Sequence, residues 1–304
     1  MLTLDEKKIR KGRPVGLPYI GSKKKISKKI VEIIKQNFGT DKTVYDLFGG
    51  GGAITAELLI NDMSVVYNEL DKTVADIFCA ALVGDREWVK TLMISRDEFM
   101  AIKKKEIKSV DDELKLLVNS FGNDRRSYLY SKELSDVKYN LAKQIVDIDD
   151  VFSGYKQTDT YKNAVKQVEK LQQLTQLQQL TQLQQLTQLE QLQRLQQLEQ
   201  LQRLQRLEVN NKDYRAYSEL NGAVIYLDPP YENSTNKYKG GSFDSIAFYD
   251  WAFEMAKNNT VLISSYEISD PRFEVVYEFK TARSTLQGGH SGKRYEKLFM
   301  VEMA

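Results

Sequence analysis

Thr43-Val44-Tyr45-Asp46-Leu47-Phe48-Gly49-Gly50-Gly51-Gly52 is the stretch on which the architecture turns. Its first six residues are short, apolar and rich in β-branched and aromatic side chains, which reads as a buried strand. Four glycines then allow a tight turn, and residues 53–60 are good helix formers. Strand, glycine turn and helix therefore follow one another directly. The same alternation recurs outward. Residues 63–67 read as a second strand and 72–82 as a helix. Much later, residues 223–227 form a strongly apolar strand, followed by a helix at 245–257 and a strand at 260–264. Residues 273–279 and 297–302 close the pattern as a strand pair. Strands alternating with helices call for a parallel sheet with helical crossovers. The expected organisation is one α/β domain in two pieces, 1–90 and 205–304, with residues 91–204 inserted between them.

Composition narrows the class. The 304 residues are 41% hydrophobic and 28% charged, as in a soluble globular protein. No apolar run approaches the roughly 20 residues that span a bilayer, so no membrane partner is expected. Residues 1–11 are charged and lack the apolar segment of a secretory signal. One cysteine excludes an internal disulfide and a cysteine-built metal cluster, which fits a reducing, cytoplasmic setting. Cys79 falls in an apolar helical stretch and is expected to be buried. His290 is the only histidine, in the glycine-containing connection 288–292, and no metal site is expected there. Net charge is only +2, but ten Lys or Arg crowd the first thirty residues against Asp5 and Glu6. Such a patch can neutralise phosphates, or can be a solvated helix face and a charged terminus.

From Leu171 to Leu207 every third residue is leucine, thirteen in all, with mostly Gln and Thr between them. On an α-helix each step of three turns about 300°, so the stripe drifts by about 60° per leucine and no single flat face can bury it. A 3₁₀ helix would align the leucines but rarely runs this long. A long helix is favoured, because no Gly or Pro interrupts the run. The repeat carries no chemistry and reads as a spacer or oligomerisation element.

Chemistry concentrates in Asp228-Pro229-Pro230-Tyr231, directly after the apolar strand at 223–227. In a parallel α/β sheet, ligands bind beyond the carboxyl ends of the strands. An exocyclic amine conjugated with its ring is a poor nucleophile. Acceptors on both of its hydrogens draw electron density onto nitrogen. Asp228 can supply one and the Pro229 carbonyl, stiffened by a fixed φ, the other. Tyr231 offers a flat face for stacking. The plainer reading is a proline turn ending a strand, with Tyr231 packed on the core. The glycine turn after Asp46 and Phe48 brings backbone close to a ligand and a helix N-terminus toward negative charge. Glu69, beyond the second strand, can accept both hydroxyls of a ribose. Asp71 competes for that role or caps the helix beginning at Lys72.

Together these residues resemble the Dam-like, D12 class family of DNA adenine N6-methyltransferases, known from phage and bacteria. The resemblance covers about 1–90 and 205–304. It is carried by Pro18-Tyr19-Ile20-Gly21-Ser22-Lys23, by Asp46 to Gly52, by Asn68-Glu69-Leu70-Asp71, by the segment 207–214 and by Asp228 to Tyr231. It implies a Rossmann-like S-adenosylmethionine-dependent methyltransferase core. Into it is set a mostly helical target-recognition region containing the Leu-x-x repeat. It further implies S-adenosylmethionine as donor, no metal, and direct in-line transfer to N6 of an adenine flipped from double-stranded DNA. The implied cofactor residues are Tyr19, Gly21, Ser22, Lys23, Asp46, Phe48, Gly49, Gly50, Gly51, Glu69, Asp213 and Asp228. Asp228, Pro229, Pro230 and Tyr231 would be catalytic. Arg125 and Arg126 in the insertion would contact DNA, as base readers or phosphate contacts, unless they form a plain surface turn. Lys293 and Arg294 would touch phosphate. The leucine repeat departs from the family pattern, and with it the transfer of any recognition residue. Two other readings stand beside this one. One is methylation of another conjugated nitrogen, such as cytosine N4 in DNA or adenine in RNA. The other is a non-catalytic DNA-binding protein built around the repeat.

Overall fold

The computed structural model describes residues 1–19, 21–169, 180–197, 205–232, 243–283 and 295–301. They divide into two compact units, one of residues 1–14, 23–75 and 201–304, the other of residues 15–22 and 76–200.

The first unit is built on a seven-stranded sheet of order β3-β2-β1-β4-β5-β7-β6. The strands are β1 (Val44–Asp46), β2 (Val65–Asn68), β3 (Leu207–Asn210), β4 (Val224–Leu227), β5 (Thr260–Ser265), β6 (Phe273–Arg283) and β7 (Tyr295–Val301). Strands β1 to β5 pair in parallel, and β7 runs antiparallel between β5 and β6. This is the mixed α/β sheet that the sequence calls for. Because alternate residues of a strand face opposite sides, β4 divides its apolar run between two cores. Val224 and Tyr226 pack with Ile30, Ile33, Ile34, Leu58 and Leu59 of helices α1 (Ser27–Phe38) and α2 (Ala53–Ile60). Ile225 and Leu227 pack with Phe248, Ala252 and Met255 of a helix at Ser245–Ala256. A sheet covered on both faces needs continuous apolar strands, which is what these sequences supply. Strand β2 begins at Val65 rather than at residue 63. Asp62 takes φ 59°, and the Met63 amide turns back to the Leu58 carbonyl, so Met63 closes α2 instead of opening the strand.

In the second unit, α3 (Lys72–Val83), which starts in the first, is followed by α4 (Arg86–Thr91), α5 (Arg96–Lys104), α6 (Val110–Val118), α7 (Lys132–Ile148) and α8 (Asp159–Glu169). Then come α9 (Thr181–Gln197) and, back in the first unit, the helix Ser245–Ala256 as α10. Capping boxes start α5 at Ser95 with Glu98 and α6 at Ser109 with Asp112. Cys79 is half-buried rather than buried. It sits at the edge of the α3 stripe formed by Val74, Ala75, Ile77, Phe78 and Ala81. Helix α9 is the described part of the leucine repeat, and residues 171–179 and 198–204 lie outside the described residues. Leu180, Leu183, Leu186, Leu189 and Leu192 are all completely buried. At about 60° of drift per step, five leucines sweep about 240° of the helix surface. The unit accommodates them by surrounding the helix, with α4, α6 and a 3₁₀ turn at Val151–Ser153 as its neighbours. This part of the repeat is core, not a free-standing spacer. Among the described residues no helix is long and apolar enough to cross a membrane.

Candidate active site

The strand order reverses between β1 and β4, which lie side by side in parallel with Asp46 opposite Tyr226. The chain therefore leaves both strands at the same edge, and the glycine turn and the Asp-Pro-Pro-Tyr turn emerge next to each other. A crevice at such a reversal is where open α/β sheets bind ligands.

The glycine turn is shaped by close approach. A Cβ at Gly49 would come within 2.2 Å of Cε2 of Tyr67, whose ring is fully buried. Gly50 and Gly52 take φ of 48° and 69°, conformations that favour glycine. The Tyr67 hydroxyl donates to the Gly50 carbonyl at 2.8 Å, and the Gly49 amide donates to the Asn68 carbonyl at 2.9 Å. At the end of β1, Asp46 is 1% exposed and accepts from Thr55 Oγ1 at 2.7 Å. Burial, against the Thr55 bond, pushes its carboxyl up to about 7.

Glu69 bridges the two turns beyond β1 and β2. Its Oε2 accepts from the Gly50 amide and its Oε1 from the Asp71 amide, both at 2.9 Å. Burial raises this carboxyl above its ordinary range, and the backbone donors oppose the rise. Asp71 caps α3 through Oδ1 and the Thr73 amide at 3.0 Å, which leaves Glu69 as the acid turned to the glycine loop. Asp213 caps the 3₁₀ turn Tyr214–Tyr217 and accepts from Arg215 at 2.7 and 3.0 Å. Asn68, which the sequence reading quoted in the acidic motif without giving it a role, ties the region together. It donates to the Leu47 and Lys212 carbonyls and accepts from the Lys212 amide and the Tyr217 hydroxyl. Phe48 packs edge-on to Phe248 at 5.6 Å and beside Tyr214 at 5.9 Å, within an aromatic cluster.

At the end of β4, Lys23 dominates. Its Nζ donates to Asp228 Oδ1 and to the Tyr231 hydroxyl, each at 2.6 Å, and lies 3.8 Å from Glu296 Oε1. Burial works against the ammonium, but Asp228 and Glu296 hold its pKa above the ordinary value. Burial raises Asp228 to about 6 even though Lys23 pulls the other way. The Tyr231 hydroxyl donates to Glu296 Oε1 at 2.8 Å, as does Ser264 Oγ. The ring of Tyr231 stands edge-on to Tyr266 at 4.9 Å. Burial, with Asp228 and Glu296 nearby, drives the phenol far above its usual range. Pro229 is buried and Pro230 partly so.

Among the residues expected at the site, Lys23, Asp46, Gly49, Gly50, Gly51, Glu69, Asp228, Pro229, Pro230 and Tyr231 all belong to the sheet unit, at or beside the carboxyl ends of β1, β2 and β4. Lys23 is turned to Asp228. Tyr19, Gly21 and Ser22 belong to the other unit, where the Ser22 amide donates to the Tyr19 carbonyl. Arg125 takes φ 59° and pairs with Glu113 at 3.1 Å, while Arg126 is exposed in the same loop. His290, Lys293 and Arg294 lie outside the described residues. Glu296 and Ser264 escaped the sequence reading. The one available signal was a glutamate at an inward position of a strand whose other inward residues, Leu298 and Phe299, are apolar.

A parallel sheet with an antiparallel seventh strand, a glycine turn and an Asp-Pro-Pro-Tyr turn at its switch point define a Rossmann-like methyltransferase. The chain belongs to the D12 class N6 adenine-specific DNA methyltransferase family, whose model matches residues 19–252. No curated protein matches it. Among solved structures it is similar to a protein assigned as a methylase from Haemophilus influenzae. That likeness has 11% identity over 96% of this chain and 93% of the other, with a TM-score of 0.35. Another is a protein assigned as a methyltransferase from Escherichia coli, at 9% identity over 95% and 92%, with a TM-score of 0.34.

Proposed function

We propose that this methyltransferase moves a methyl group from S-adenosylmethionine to N6 of an adenine flipped out of double-stranded DNA. The observation that carries the reading is Asp228 with Pro229 at the end of β4, beside the glycine turn of β1. The turn suits a nucleoside cofactor with an amino-acid tail. It combines a close-packed glycine backbone, the start of α2, and an acid held against that backbone. Gly49, Gly50, Gly51 and Asp46 would border the tail, Glu69 the ribose, and Asp213 with Phe48 the cofactor adenine. When bound, the cofactor supplies an electrophilic methyl on a sulfonium.

The chain's own residues do the rest by placement and electrostatics. Asp228 accepts one hydrogen of the target amine through a lone pair not taken by Lys23, and the Pro229 carbonyl accepts the other. Both draw density onto N6. Tyr231 stacks on the flipped base, which replaces stacking given up in the duplex. Lys23 keeps Asp228 ionised and fixes its direction. Arg126, exposed in its loop, contacts the DNA, whereas Arg125 is held back by Glu113.

Digestion to nucleosides of plasmid DNA treated with the protein and cofactor tests the reading. N6-methyldeoxyadenosine is expected, and Asp228→Ala should abolish it in a folded protein. N4-methylcytosine as the sole product would sink the adenine assignment. Asp228→Ala turnover near wild type would remove the assigned role.

A further inference from the structure

We infer that Glu296 is a positioning residue, which takes up the phenolic hydrogen of Tyr231 and so leaves Asp228 open to the substrate amine. The inference rests on the reading of Asp228 as the amine acceptor. Glu296 is 3% exposed on β7, a sheet strand where a carboxylate needs a reason to be buried. Among the described residues its nearest cation, Lys23, is 3.8 Å away, and two hydrogen bonds at 2.8 Å reach it from Tyr231 and Ser264. Both reach the same oxygen, Oε1.

The donor arithmetic is restrictive. Lys23 can only donate, so at 2.6 Å the Tyr231 oxygen must accept from it. The phenol has one hydrogen left to give. It goes to Glu296 at 2.8 Å, and the competing carboxylate is Asp228, which shares Lys23 with the phenol at 2.6 Å. If the hydrogen went to Asp228, that carboxylate would hold Lys23 and Tyr231 together and lose acceptor capacity for the base. Glu296 settles the competition. The same bond fixes the ring at its hydroxyl end, while Tyr266 fixes its edge at 4.9 Å and Lys23 lies 5.0 Å from its centroid. A stacking platform held at three points suits a base that must arrive in one orientation. The bond from Ser264, itself fully buried, fixes the Glu296 carboxylate in turn.

The test uses the full chain with methyl-labelled S-adenosylmethionine and plasmid DNA, and reads kcat, the KM for DNA and the cofactor Kd. Glu296→Met keeps the volume and removes the acceptor. It should lower kcat at least tenfold, with the cofactor Kd within twofold of wild type. Glu296→Gln restores an acceptor oxygen and should recover kcat to within threefold. In a Tyr231→Phe background, adding Glu296→Met should cost less than twofold, because the hydrogen it handles is already gone. Should Glu296→Met not fold, Glu296→Asp, which withdraws the oxygens by one bond, should lose kcat at least threefold. A wild-type rate in Glu296→Met or Glu296→Asp overturns the inference. So does a Met effect that persists undiminished beside Tyr231→Phe. Asp228→Ala, assayed in parallel, separates the two levels. If it is active, the reading of Asp228 falls. If it is dead while the Glu296 variants are normal, only the role of Glu296 falls.

Discussion

Among the described residues burial raises three carboxyls, Asp46, Glu69 and Asp228, and the first and last do different things. Asp228 titrates near 6, with burial outweighing the pull of Lys23. Below that pH it carries a proton and has lost acceptor capacity for the amine. The efficiency of methylation should therefore fall on acidification through pH 6, approaching tenfold per unit by pH 5, in a kcat/KM profile for DNA, which reports the enzyme before DNA binds. A flat profile from 7.5 to 5 would rule this out. Asp46 is raised by burial to about 7 from an ordinary 3.8. Between those values the folded chain holds a proton that the unfolded chain has released. Stability must then decline as pH rises from about 4 to 7 and level off above it. At about 1.4 kcal/mol per unit the decline from pH 5 to 7 is about 2.5 kcal/mol for this one group. Asp46→Asn keeps an acceptor for Thr55 and removes the titration. Urea unfolding of the cofactor-free protein at pH 5 and 7 should show that decline in wild type minus variant. Parallel pH dependence in the two proteins would contradict the buried proton.

Among the elements, α9 shows how a repeat of the wrong period can still be buried. A three-residue step on an α-helix is a screw of about −60° and about 4.5 Å, and it carries each leucine onto the next. The leucines alone cannot fix the register. The spacers do. Gln182 Nε2 donates to the Ile94 carbonyl at 3.0 Å, and Glu190, 2% exposed, accepts from Arg86 at 2.7 and 3.0 Å. Two deletions separate the contributions. Removing Gln184-Gln185-Leu186 keeps a leucine every three residues and displaces only the polar partners. It should leave the unit folded, with a loss of about 1.5–3 kcal/mol from the hydrogen bonds between Glu190 and the partly exposed Arg86. Removing Gln184 alone puts polar residues where Leu186, Leu189 and Leu192 are buried. At about 2–5 kcal/mol for each leucine displaced, the unit should not fold. Circular dichroism and urea unfolding would decide. Equal damage from the two deletions would mean that the screw relation does not matter.

At the scale of the whole molecule, what was legible in the sequence followed from local period and turn chemistry. The apolar runs at 43–48, 63–67 and 223–227, each followed by a glycine, acidic or proline turn, announced a parallel sheet. Nothing local announced the Lys23, Asp228, Tyr231 and Glu296 cluster. Lys23 and Asp228 are 205 residues apart, and only the sheet order brings them together. The enclosure of α9 was hidden for a similar reason, since a helix surface becomes core only when other elements are placed around it. The basic N-terminal stretch is a third case. Its ten cations look alike in sequence, yet Arg10 is bound to Glu57, Lys29 to Glu6 and Lys23 to Asp228. Lys7, Lys8, Lys11, Arg13 and Lys25 remain exposed. If the substrate is DNA, these five are the ones placed to displace counterions from phosphates. Replacing all five with alanine should make the slope of log K against log salt shallower by about 0.9 for every phosphate no longer neutralised. Such phosphate pairing carries no sequence information, so binding should weaken evenly on target and non-target duplexes. Fluorescence anisotropy on both duplexes from 50 to 200 mM salt would measure this. A slope identical to that of wild type would reduce the patch to solvated surface and move the phosphate-binding role elsewhere in the chain.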